Sequence, residues 1–157
     1  MKYSLYEIKV LMFLQNNKGA YLFMNNNHKD SIISGYINPA GGHIEEGETF
    51  EQTVKREAFE EMGIKDVRDI TLRGTVNVSG FKENPVFMLI VSGTVDSDIK
   101  LEAKDEGEPV WVSENGFKKY RMFEDVEKFV ELIKTRKDLF HIVSKFEDRK
   151  LVEFTIS

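Results

Sequence analysis

Apolar positions along this chain switch between a period of two and a helical period. Residues 4–14 alternate and then run apolar through Val10–Leu14, and Asn16-Asn17-Lys18-Gly19 turns into a second apolar run at 20–24, which together predict two strands joined by a turn. The polar stretch Asn25–Asp30 reads as a loop, and Ile32 to Gly42 leads into a glycine-bearing segment. At Phe50, Val54, Ala58 and Met62 the spacing becomes helical. Thr49 with Gln52 three residues on predicts a capping box at the helix start, and Gly63 a left-handed stop. Ile70–Val78 and Val86–Val95 read as strands joined by a loop carrying Gly80, Asn84 and Pro85. A short strand, Pro109–Val112, holds the only tryptophan, Trp111. Phe123, Val126, Phe129, Val130 and Ile133 predict a core-facing helix, and Leu139–Phe146, Glu147–Lys150 and Leu151–Ile156 a β-hairpin. Strands interrupted by two well-separated helices imply an α/β (α+β) architecture with a central sheet between helices.

Composition narrows this only in part. At 157 residues and 41% hydrophobic content, with no linker, low-complexity tract or repeat, residues 1–157 are expected to form one globular domain. Cysteine is absent, which excludes disulfides, thiolate metal sites and cysteine nucleophiles. His28, His43 and His141 are scattered and read as surface or loop residues rather than a zinc cluster. The apolar run at Val10–Leu14 follows Glu7 and Lys9 and precedes no small-residue cleavage site, so it reads as a strand; no run approaches membrane-spanning length, and the cytoplasm is the expected location. A net charge of −5 argues against a long nucleic-acid partner, yet leaves room for a small anion whose charge is met by a metal.

The chemistry concentrates in Gly42–Ile64. Gly41, Gly42 and Gly47 are expected to permit backbone turns ahead of the helix. Glu57, Glu60 and Glu61 stand at i, i+3 and i+4 and are expected to project to one side, at the edge of the apolar stripe. Three like charges on one turn destabilise a helix unless something positive joins them, and hard carboxylate oxygens suit Mg²⁺ or Mn²⁺. A solvated acidic face is the competing interpretation of E-x-x-E-E alone.

Gly42, Glu48, Arg56-Glu57, Glu60-Glu61 and Gly63 together spell G-x5-E-x7-R-E-U-x-E-E-x-G-U, with U an apolar residue. This resembles the signature of the Nudix hydrolases, here spanning residues 42–64. With residue frequencies of roughly 7% each, its fixed positions agree by chance about once in 10^8 windows. The resemblance implies the Nudix fold: an α/β/α sandwich with a central mixed sheet, two main helices and a C-terminal hairpin. It implies further that Glu57, Glu60 and Glu61 hold the metal with the carbonyl of Gly41, that Arg56 orients the catalytic carboxylates, and that Glu48 supports the loop–helix geometry and reaches the metal through water. The implied reaction cleaves a nucleoside diphosphate linked to a further group, by water attack on phosphorus. Mg²⁺ is the implied cofactor, with Mn²⁺ as substitute. The alternative class, a Nudix-fold binding module without catalysis, commonly lacks box glutamates that this chain retains.

Outside the box the chain is most similar to MutT-like enzymes that clear oxidised purine triphosphates such as 8-oxo-dGTP. Gly35-Tyr36-Ile37-Asn38-Pro39-Ala40-Gly41-Gly42 resembles their G-x-W-N-x-x-G-G, with Asn38 at the base-contacting asparagine. Asp105-Glu106-Gly107-Glu108-Pro109-Val110-Trp111 resembles their acidic loop, which puts Glu106 at a further metal-binding or catalytic carboxylate. Phe140-His141 through Phe154-Thr155 resembles their last hairpin. Their purine-reading tryptophan is missing; Met122-Phe123-Glu124-Asp125 stands there instead. A carboxylate at Glu124 or Asp125 suits the paired N–H donors of guanine, and Phe123 or Met122 suits its ring. Plainer interpretations compete at each position: first-turn helix charges for Glu124 and Asp125, a core role for Phe123, a solvated acidic loop for Glu106 and an ordinary turn for Asn38-Pro39. The expected partner is a small nucleotide bound by a monomer or homodimer. ADP-ribose, a dinucleoside polyphosphate, NADH, coenzyme A or an RNA 5′ end are the alternative substrates. Gly80-Phe81-Lys82 carries neither the proline typical of ADP-ribose enzymes nor the tyrosine of diadenosine-polyphosphate enzymes, and no S-Q-P-W-P-F-P-like segment follows the box.

Overall fold

The computed structural model describes residues 4–27, 29–30, 33–105 and 107–157. Among these, the strands are β1 (Glu7–Gln15), β2 (Tyr21–Asn25), β3 (Ile37–His43), β4 (Arg68–Ser79), β5 (Val86–Thr94), β6 (Glu108–Val112), β7 (Phe140–Glu147) and β8 (Lys150–Ile156). Helices α1 (Phe50–Met62) and α2 (Glu124–Thr135) and a 3-10 helix at Glu114–Lys119 complete the elements. The strands form one mixed sheet in the order β6-β2-β3-β1-β5-β4-β7-β8. β1 runs parallel to β5 and β4 parallel to β7, while the other neighbours are antiparallel.

The apolar run in β1 reflects burial on both faces. Leu11 and Phe13 join a core with Val126, Phe129, Val130 and Ile133 of α2, whereas Val10, Met12 and Leu14 join a second core with Val54, Ala58 and Met62 of α1. The helices therefore cover opposite faces of the sheet, and the layers are α/β/α with a mixed central sheet. β7 and β8 form the terminal hairpin through Asp148 and Arg149, whose φ values of 50° and 65° give the positive-φ pair of a twist-matched two-residue turn.

Helix α1 begins and ends as its sequence signals dictate. Thr49 accepts from the Gln52 backbone N–H at 3.3 Å while the Gln52 side chain accepts from the Thr49 N–H at 2.8 Å. Gly63 takes φ 73°, donates to Phe59 O, and leaves Ile64 N–H to reach Ala58 O. No helix among the described residues is long and apolar enough to cross a membrane.

The segment leading into the acidic motif departs from expectation. Residues 37–43 are a full sheet strand, and Gly41 and Gly42 lie inside it opposite Leu11 and Val10. They are not turn glycines; the left-handed turn falls at Gly47, with φ 84°. What requires a missing Cβ at Gly41 and Gly42 is close approach: a Cβ there would stand 2.2 Å from Val10 O and 1.9 Å from Glu57 Oε1, respectively.

Candidate active site

Glu57 thus rests on the bare backbone of β3, and its position is fixed from the other side by Arg56. The Arg56 guanidinium donates from Nε to Glu48 Oε1 at 2.7 Å, from Nη2 to Glu48 Oε2 at 2.9 Å and to His43 O at 3.0 Å. Nη1 donates to Glu57 Oε1 at 2.8 Å and to Glu60 Oε2 at 3.1 Å. An arginine has a fork of five N–H donors, and here each finds an oxygen. The hydrogen bonds it donates to Glu48, then those to Glu57 and Glu60, hold the Arg56 proton far more tightly than in an ordinary arginine.

Glu48 ties the motif together from the loop side. Besides the bidentate Arg56 contact, Glu48 Oε2 accepts from Thr53 Oγ1 at 2.8 Å and from the Glu45 backbone N–H at 3.1 Å. The Arg56 hydrogen bond leads the causes that bring its carboxyl down to about 2. Both oxygens are committed to these contacts, which makes Glu48 a brace between loop and helix. Thr53, fully buried, was not singled out by the sequence reading; its place one turn above Glu48 and beside the capping box was the available signal.

The three motif glutamates do not share one environment. The Glu57 side chain is 12% exposed and that of Glu60 55%, whereas Glu61 is buried. The positive group joining Glu57 and Glu60 is Arg56, and among the described residues no group of three or more His, Cys, Asp or Glu stands at metal-holding spacing. The donor chemistry nevertheless fits a hard divalent cation: a buried and a largely buried carboxylate one helical turn apart, at i and i+4, carry the oxygens such an ion prefers. Glu106 lies outside the described residues, as do His28, Ser31 and Ile32.

Next to this motif, on the α2 side of the sheet, lies a cavity of about 320 Å³. Its lining includes Asn38, Gly41, Phe123 and Asp125, four of the residues singled out from the sequence. Asp125 is buried on the first turn of α2, and burial pushes its carboxyl up to about 6 against the hydrogen bonds of its own N–H and that of Val126. Phe123 stacks face to face on Tyr36, with centroids 4.2 Å apart, and meets Phe81 and Phe146 edge-on. One ring face is therefore taken by protein. Met122 packs against the α2-side core and Glu124 is exposed; neither lines the cavity. Lys9 and Lys82 do line it. Lys9 was legible as a charged residue set, with Glu7, on the same face of an otherwise apolar strand; for Lys82, a loop lysine, no signal pointed there.

The family model for the NUDIX domain matches residues 5–133. The chain belongs to the NUDIX family. Solved structures agree on the fold. A mutator MutT protein from Bacillus halodurans superposes with a TM-score of 0.80 at 18% identity, covering 96% of this chain and 97% of that one. The NUDIX domain of Shewanella oneidensis NrtR, complexed with ADP ribose, gives 0.71 at 16% identity over 87% and 91%. A bifunctional NMN adenylyltransferase/ADP ribose pyrophosphatase from Francisella tularensis, complexed with AMP and a Mn ion, gives 0.68 at 17% identity, covering 85% of this chain and 42% of that one. No curated protein sequence matches the chain. The matched range contains residues 42–64, with the Arg56-centred brace on α1.

Proposed function

We propose that this NUDIX protein is a divalent-metal-dependent pyrophosphohydrolase that converts a purine nucleoside triphosphate, 8-oxo-dGTP in particular, to its monophosphate and pyrophosphate by water attack on phosphorus. One observation carries the reading. Gly41 lines the cavity while its neighbour Gly42 lies beneath Glu57, so a base pocket and a carboxylate turn meet on adjacent residues of one strand. Glu57, Glu60 and Glu61, with the Gly41 carbonyl and Glu106, would hold Mg²⁺ or Mn²⁺, which supplies positive charge on the phosphate oxygens and acidifies a bound water. The Francisella relative, complexed with AMP and a Mn ion, supports both ligands for a site of this fold.

The chain's own residues position the reactants. Arg56 holds Glu57 and Glu60 in fixed directions, and misplacement of such groups by an ångström costs about 10²-fold in rate. Asp125, ionised above about pH 6, accepts two hydrogen bonds and so fits the paired N–H donors of a guanine edge. Asn38, which lines the same cavity from β3, offers both a donor and an acceptor. ADP-ribose hydrolysis is the second reading, favoured by the ADP ribose bound to the Shewanella relative.

Purified protein with Mg²⁺ is to be assayed against 8-oxo-dGTP, dGTP, dATP, ADP-ribose and diadenosine polyphosphates, with products identified by mass. The expected products are 8-oxo-dGMP and pyrophosphate. Preferential turnover of ADP-ribose replaces the substrate, and absence of hydrolysis with either Mg²⁺ or Mn²⁺ overturns the reaction.

A further inference from the structure

Strand alternation places Glu7, Lys9 and Leu11 on one face of β1, and Lys9 and Leu11 both line the cavity. Lys82, from the β4–β5 loop, reaches the same wall. The two ammonium groups converge on a single atom: Lys9 Nζ and Lys82 Nζ each lie 3.3 Å from Glu7 Oε2, and His43 Nε2 lies 3.2 Å from it. A good charge-assisted contact measures about 2.7–2.9 Å, so one oxygen is stretched among three donors. One negative charge also stands against two ammonium groups, and Glu7 is the ion-pair partner of both lysines among the described residues. Burial first, and the Lys82 charge second, hold the Lys9 ammonium below the usual lysine range despite Glu7. Burial alone would raise the Glu7 carboxyl, but the hydrogen bonds of His43 and Lys82 and the Lys9 charge bring it down to about 2. Two adjacent cations held by a shared, imperfect counter-ion constitute a ready anion seat.

Its location says which anion. Lys9 pairs across the sheet with His43, next in sequence to Gly42, the residue beneath Glu57. A nucleotide with its base near Asn38 and Asp125 would present its sugar-linked phosphate to the Lys9–Lys82 wall of the same cavity. We propose that Lys9 and Lys82 clamp the phosphate attached to the substrate's sugar, and that Glu7 is the stand-in which this phosphate displaces. The proposal rests on the nucleotide reading given above, and its test leaves out the reaction.

Deoxynucleosides and their 5′-monophosphates (deoxyguanosine with dGMP, deoxyadenosine with dAMP) are titrated into the full chain in EDTA, with affinities read from amide chemical shifts. Lys9→Met and Lys82→Met are each expected to weaken the monophosphates about tenfold or more, the scale of a hydrogen bond to a charged group, and to leave the nucleosides unchanged. Lys9→Arg retains most of the affinity. Glu7→Gln, which removes the competing charge, tightens the monophosphates severalfold. If the cluster only staples β1 to the β4–β5 loop, Glu7→Gln lowers the melting temperature without tightening either ligand; equal weakening of nucleoside and monophosphate by the lysine variants likewise overturns the clamp. Because no metal and no turnover enter the titration, a protein that binds monophosphates in this pattern yet hydrolyses nothing refutes the reaction and keeps the clamp.

Discussion

Asp125 illustrates a residue whose placement works against stability. Its carboxyl is buried beside the apolar wall of the cavity, and the two backbone N–H groups it meets do not offset the lost hydration, so its pKa stands near 6 rather than 3.8. A group whose folded pKa lies above its unfolded value contributes most to stability below the unfolded pKa, and that contribution is lost as pH rises through the folded pKa. Asp125 therefore costs the fold on the order of 3 kcal/mol above pH 6 and nothing below about pH 4. Asp125→Asn is expected to be more stable than the parent at pH 8 by roughly 1–3 kcal/mol, with the difference vanishing near pH 4. Urea denaturation at the two pH values measures this, and equal stability at pH 8 would remove the desolvation argument. The same variant loses an acceptor on the cavity wall, and under the proposed function that acceptor is the counterpart of the stability cost.

Among the elements, α1 joins the stabilising and the chemical parts of the site, and substitutions separate them. Its start rests on the reciprocal Thr49–Gln52 bonds, and removing such a cap costs about 1 kcal/mol. Thr49→Ala is expected to lower stability by that amount with little change in kcat, since the Arg56 bonds to Glu48, Glu57 and Glu60 do not involve the Thr49 side chain. Gly42→Ala is expected to do the reverse: its Cβ would stand 1.9 Å from Glu57 Oε1, displacing the carboxylate and lowering kcat about 10²-fold while the sheet persists. Denaturation midpoints and steady-state kinetics on both variants check the contrast, which fails if the two move stability and kcat together. This helix is also where the sequence was most informative, because caps, stripe and motif are encoded within a turn or two of one another. The pairing of β1 with β5 in parallel and the order of the sheet were not legible, since strand partners are chosen by contacts far apart in the chain. Gly41 and Gly42 were legible as obligatory but for the wrong cause: a bare backbone needed for close approach and one needed for a turn look alike in one dimension. Asp125 could be told from Glu124 only once α2 was docked, which buries one and exposes the other.

At the scale of the whole molecule, a chain of net charge −5 folds so that Glu57, Glu60 and Glu61 gather on one helix, with Arg56 as the local counter-charge of Glu57 and Glu60. Arg56 is engaged by Glu48 as well, and the hard carboxylate oxygens of this turn are of the kind a divalent cation prefers. An ion that binds the folded state alone stabilises it by about 2.7 kcal/mol at a hundredfold excess over its dissociation constant. For a chain of this size that corresponds to a rise in melting temperature of roughly 5–10 °C. Mg²⁺ and Mn²⁺ are therefore expected to raise the melting temperature in a saturable way that EDTA reverses. Monovalent salt at equal ionic strength should not reproduce the rise, because screening weakens repulsion without occupying a site. Glu61→Gln, which removes the buried carboxylate of the turn, should abolish most of the rise and lower the hydrolysis rate by orders of magnitude, whereas Glu45→Gln, at an exposed neighbouring loop carboxylate, should leave both intact. Thermal melts of the three proteins across a metal titration decide it: a rise of equal size in Glu61→Gln would place the cation elsewhere on this acidic surface and separate stability from the NUDIX motif.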